Sequence, residues 1–242
     1  MRVIISTDLS PYAEFVPLVQ AAWDKLGFPC ITVCAGGSTP DFEHVPLACP
    51  HGMPAGNLAM VSRMITASET PGISMLSDAD MLPLSASYFK WLQSQVRPGV
   101  LLSASSDAYD KPGMHPICYL AADRATWKAI VNPDDLELRD LLESWRGRKL
   151  NEKDDPWKSP FCDESLLRWL LQRWGGEIDG RQRGWTGGIA EGRIDRARWK
   201  IRPGYLRFGG YIDAHMLRPF SENKGRIKPL ADHLGLGEFC ES

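Results

Sequence analysis

Short apolar, β-branched runs alternate along this chain with stretches whose apolar positions recur at helical spacing. That alternation predicts an α/β fold with a central, mostly parallel sheet. Arg2–Ser6 reads as a buried strand. Leu9, Ser10 and Pro11 open a helix, because proline suits a first turn, where an N–H would have no partner. Phe15, Leu18, Val19 and Ala22 continue it at helical spacing, and Gly27 ends it. Ile31–Cys34 is the second strand, closed by Gly36 and Gly37. This βαβ unit implies parallel pairing with a right-handed crossover.

The pattern then lapses over Ser38–Pro54, a proline-rich stretch long enough to be a functional loop. It resumes with a helix over Asn57–Ala67, a buried strand over Ile73–Ser77 and a helix over Ser85–Gln95. Strands are predicted over Val100–Ala104 and Ile117–Ala121, and helices over Arg124–Val131 and Asp134–Trp145. A polar loop over Lys149–Pro160 leads to a helix that begins near Asp163. The last third is rich in Gly, Arg and Trp and has weak periodicity. Residues 1–220 read as one domain and 221–242 as an extension packed on it.

Composition narrows the function. Hydrophobic residues make up 43% and charged residues 24%, an ordinary globular balance that excludes a disordered or collagen-like chain. No apolar run reaches the ~18 residues of a membrane span. The start has one basic residue and meets Asp8 almost at once, unlike a secretory signal, so a cytoplasmic protein is expected. The formal charge of −2 gives no whole-chain footprint for nucleic acid. Basic residues thicken from Arg181 to Arg202, either as a solvated surface or as a groove for a diphosphate or anionic acceptor. The six cysteines show no paired zinc spacing and read as reduced thiols. Among the nine tryptophans, Trp23, Trp91, Trp127 and Trp169 fall at core spacing.

The chemistry concentrates at Ser77–Met81. Asp78 and Asp80 are two apart, directly after a buried strand. In an extended chain, residues i and i+2 face the same way. At the carboxyl end of an open α/β sheet, that places them at the ligand crevice. Carboxylates are hard ligands suited to Mg²⁺ or Mn²⁺. A turn or helix-cap role for both aspartates is the alternative, since Pro83 follows closely.

With the βαβ start upstream, Asp78-Ala79-Asp80 resembles the D-x-D motif of GT-A nucleotide-sugar glycosyltransferases. That resemblance implies a GT-A fold, Rossmann-like and similar to spore-coat protein A. It implies donor binding by Asp78, Ala79 and Asp80, with Ser6, Thr7 and Asp8 around the nucleoside and Arg63 as a basic residue near the donor; a plain surface arginine is the alternative for Arg63. The segment opening with Asp163, Glu164 and Ser165 is similar to retaining blood-group-type transferases. There Glu164 takes the nucleophile or ion-pair role and Asp163 the sugar contact. A helix cap at Asp163 would explain the same pair structurally.

The class often supplies a late histidine to its metal, and His215 in Asp213-Ala214-His215 has that position. Asp78, Asp80 and His215 are then the expected ligands of Mn²⁺ or Mg²⁺; an imidazole favours Mn²⁺. Trp185, Gly187 and Gly188 are the candidate wall for the sugar or acceptor. The function implied is metal-dependent transfer from a UDP-sugar to a glycan or other hydroxyl acceptor, with retention favoured. The chain is about as long as small virus-encoded enzymes of this class. A sugar nucleotidyltransferase, a Mg²⁺-dependent phosphohydrolase and a non-catalytic carbohydrate-binding domain remain as alternatives.

Overall fold

The computed structural model describes residues 1–36, 40–49, 53–104, 115–146, 162–180 and 192–241. Its centre is a seven-stranded sheet made of β1 (Arg2–Thr7), β2 (Cys30–Ala35), β3 (Val45–Leu47), β4 (Ile73–Leu76), β6 (Val100–Ser103), β7 (Leu120–Asp123) and β8 (Glu177–Gly180), in the spatial order β3-β2-β1-β4-β7-β6-β8. Strands β3, β2, β1 and β4 run parallel, as do β6 and β8. Strand β7 is antiparallel to both its neighbours, β4 and β6. The sheet is therefore mostly parallel, as the pattern predicts, with one reversed strand that the pattern does not reveal.

Alternation along β1 shows how the layers form. Val3 and Ile5 face one core and Ile4 the other, all with no exposed surface. On the Val3 side lie α1 (Val16–Lys25), α3 (Ala86–Ser94) and α8 (Phe220–Leu234), which contribute Trp23, Phe89 and Leu230. On the Ile4 side lie α2 (Ala55–Glu69), α4 (Arg124–Val131), α5 (Leu138–Arg146) and α6 (Cys162–Trp174), with Met64, Trp127, Trp145 and Leu167. Among the described residues, no helix is long and apolar enough to cross a membrane.

Several local expectations shift. Pro11–Phe15 forms a 3₁₀ turn before α1, with the Ser10 hydroxyl accepting from the Tyr12 N–H. The strand expected over Ile117–Ala121 lies at Leu120–Asp123, because Tyr119 takes a left-handed φ of 64° while its N–H bonds the Leu76 carbonyl. Trp91 is 45% exposed, since α3 buries Phe89 and Leu92 instead. All six cysteines are free thiols.

A second, three-stranded sheet holds β5 (Met81–Pro83), β9 (Arg193–Ile194) and β10 (Asp213–His215), in the order β5-β10-β9. Strand β5 leaves the Asp78–Asp80 turn directly, and His215 pairs with Met81. The short helix α7 (Pro203–Arg207) precedes β10, and α8 follows β10 and places Ile227, Leu230 and Ala231 in the first core.

Candidate active site

The chain moves from β1 outward to β2 and returns to β4 on the other side of β1, so the strand order reverses at β1. In open α/β sheets such a reversal leaves a crevice at the carboxyl ends of the strands. Ser6–Asp8 and Ser77–Asp80 end β1 and β4 there, joined by the Ser77 N–H donating to the Ile4 carbonyl at 2.9 Å. Ser6 is half-buried and Thr7 buried. Asp8 accepts from the Ser10 N–H at 3.1 Å. It also lies against the first turn of α2, where a β-carbon on Gly56 would stand 2.9 Å from its Oδ2. A side chain at that position would push the Asp8 carboxylate aside.

The geometry at Asp78–Asp80 differs from the extended arrangement. Strand β4 stops at Leu76, and the Met81 N–H donates to the Asp78 carbonyl across a turn. The i, i+2 rule therefore does not apply, and the two carboxylates take different partners. Asp78 pairs with Arg63, and Asp80 turns toward the second sheet. Ala79, between them, is buried in the first core.

Arg63 ties three elements together from α2. Its guanidinium donates to the Ser77 carbonyl at 2.9 Å, to Asp78 Oδ1, and to Asp163 Oδ2 at 2.7 Å. Burial opposes its charge, but Asp78 and Asp163 outweigh burial and hold its pKa above the ordinary arginine value. Burial likewise opposes ionisation of Asp78, yet the Arg63 charge prevails and lowers that carboxyl's pKa. At Asp163 burial wins over Arg63, and the pKa is raised. Asp163 Oδ1 also accepts from the Glu164 N–H at 2.9 Å, and both side chains are buried in the first turn of α6.

Asp80 is buried beside two arginines and a histidine. Its Oδ2 lies 3.0 Å from Arg196 Nη1, 3.3 Å from His215 Nε2 and 3.9 Å from Arg218 Nε. Arg196 Nη2 donates to His215 Nε2. The Met216 N–H donates to the Asp80 carbonyl at 2.9 Å, which fixes β10 against the turn. Arg218 reaches on to Tyr12, donating to its hydroxyl with its guanidinium 4.9 Å from the ring centre.

The chemistry of this donor set bears on a divalent ion. Asp80 Oδ2 and His215 Nε2, at 3.3 Å, are close enough to share one ion that sits ~2.1 Å from each. Asp78 does not join them: among the described residues, no three His, Cys, Asp or Glu side chains converge as a metal set. Two of the three expected ligands meet, and the third is held by Arg63. Trp185, Gly187 and Gly188 lie outside the described residues.

The basic stretch before β10 is not simply surface. Arg193 is paired with Asp213 through two guanidinium nitrogens, and Arg196 faces Asp80. Sequence reasoning left both arginines inside a general basic stretch. Arg218 and Tyr12 carried no signal of their own.

Comparison with solved structures places this arrangement. The galactosyltransferase LgtC, solved with donor and acceptor sugar analogues, superposes with a TM-score of 0.54 over 97% of this chain and 95% of its own, at 11% identity. An active-site variant of LgtC superposes with a TM-score of 0.51 over 89% of this chain and 86% of its own, also at 11% identity. The fold is GT-A. No family model and no curated protein sequence matches the chain. The GT-A assignment therefore rests on architecture.

Proposed function

We propose that this GT-A chain is a nucleotide-sugar glycosyltransferase, taking its sugar from a UDP-sugar and passing it to a hydroxyl acceptor such as a glycan. One observation carries the reading: the turn at Asp78–Asp80 stands at the strand-order reversal, with His215 brought to Asp80 from 135 residues away in sequence. That convergence of an acid and an imidazole at a crevice is more than a turn requires.

In this reading Ser6, Thr7 and Asp8 line the nucleoside end of the crevice. Asp80 and His215 would hold Mn²⁺ or Mg²⁺, and Asp78 would join them only by leaving Arg63. Such an ion would offset the charge gathering on the departing diphosphate. Arg63 aligns both acids and favours the ionised form of Asp78. Glu164, beside Asp163, is the acid we assign to the anomeric carbon, as nucleophile or as counter-charge to an oxocarbenium-like transition state, with retention of configuration. The bond from the anomeric carbon to the diphosphate oxygen breaks, the acceptor oxygen bonds that carbon (displacing Glu164 where Glu164 had bonded it first), and the acceptor's proton passes to the departing diphosphate.

Calorimetric titration of UDP, UDP-glucose and GDP-mannose, with and without Mn²⁺, tests the donor site. The wild-type chain should bind the UDP compounds only with Mn²⁺, and Asp80→Ala should lose that binding. Absence of nucleotide binding, or binding indifferent to both Mn²⁺ and Asp80, would remove this reading.

A further inference from the structure

The contacts of Arg196 go beyond a neighbouring charge. An arginine guanidinium donates and never accepts. His215 Nε2 must therefore present its lone pair to Arg196 Nη2. Asp80 Oδ2 presents another lone pair to Arg196 Nη1 at 3.0 Å. These two acceptors lie 3.3 Å apart and cannot bond each other in that tautomer, so the cation between them holds the pair together. Arg218 lies near the same oxygen, but at 3.9 Å, and its polar end is spent on Tyr12.

We propose that Arg196 is a resident cation of the Asp80–His215 pair and gives way when a divalent ion binds. The inference rests on the assignment of those two residues as metal ligands. The fold allows the exchange. Arg196 sits in a short 3₁₀ turn, Arg196–Arg198, whose geometry is secured by Asp195 accepting from the Ala197 N–H at 2.7 Å. Its side chain is 25% exposed, so the guanidinium can leave toward solvent without unfolding the turn. A diphosphate entering the crevice gives the displaced guanidinium a second anion to pair with. Metal and nucleotide then bind with positive coupling, beyond what direct contact between them supplies.

Binding of Mn²⁺ without nucleotide, followed by loss of the free-ion electron paramagnetic resonance signal, tests the exchange in the full chain. Arg196→Met should bind Mn²⁺ at least tenfold more tightly than wild type. Arg218→Met, which removes an equal charge but no bridge, should change affinity less. Adding UDP should raise Mn²⁺ affinity more in wild type than in Arg196→Met. Asp80→Asn should abolish binding in every background, and thermal melts confirm folding of each variant. Equal Mn²⁺ affinity in wild type and Arg196→Met, or equal effects of Arg196→Met and Arg218→Met, would overturn the resident-cation role while leaving the metal site standing. Mn²⁺ binding to none of them, with or without UDP, would overturn the metal site and this inference together.

Discussion

At the scale of single residues, the site is governed by how buried charges are partnered. Arg63 lies between Asp78 and Asp163, and burial penalises every member of the triad. The two acids respond oppositely because Asp78 has Arg63 as charge and hydrogen-bond donor, with Arg193 also near, whereas Asp163 has the negative charge of Asp78 beside it. The lowered pKa of Asp78 has a consequence for stability. A carboxyl whose folded pKa is below its unfolded value, ~3.9, stabilises the fold above that value. The contribution fades as pH falls from about 4 through the folded pKa. Asp78→Asn should therefore be less stable than wild type at pH 6, and the gap should narrow steadily below pH 4. Urea unfolding across that range measures it; a gap independent of pH would show that the charge of Asp78 is not what stabilises.

Elements act by delivering side chains to the carboxyl edge. Strands β1 and β4 end there, α2 carries Arg63 across, α6 begins there with Asp163, and the β5–β10 pairing returns His215. The opposite edge is structural. Asp123 ends β7 opposite Ile73, the first residue of β4, and caps α4 by accepting from the Thr126 N–H at 2.7 Å. Losing such a cap costs about 1 kcal/mol. Asp123→Ala should lower unfolding free energy by roughly that amount and leave UDP affinity unchanged. An altered affinity would mean that the two edges are coupled through the sheet.

For the whole molecule, the C-terminal segment belongs to the same core as the first strand. Phe15 packs edge-to-face on Phe220, with ring centres 5.4 Å apart, and Leu234, Leu236 and Cys240 join the cluster that holds Val3 and Trp23. Removing residues 221–242 would strip Ile227, Leu230, Leu234 and Leu236 from that core and leave several cavities, each costing about 2–5 kcal/mol per large aliphatic side chain lost. Domain stabilities are of order 5–15 kcal/mol. The truncated chain should show no cooperative thermal transition by circular dichroism. A sharp transition near the wild-type temperature would mean that 221–242 is an accessory layer.

The spacing of apolar residues was sufficient to determine the opening βαβ unit, the strand before Asp78 and the helix at Asp163. Those signals are local: strand and helix periods, a proline in a first turn and a glycine at φ 86° after α1 require no partner to be read. The pair Asp78 and Asp80 was legible for the same reason. Tertiary structure decided the rest. The direction of β7, the turn that separates Asp78 from Asp80, and the second sheet that joins Met81 to His215 depend on pairings between distant segments. Arg196 and Asp80 are 116 positions apart. No local period encodes such a contact, because it exists only when two cores close on both faces of the sheet and bring their loops to one edge.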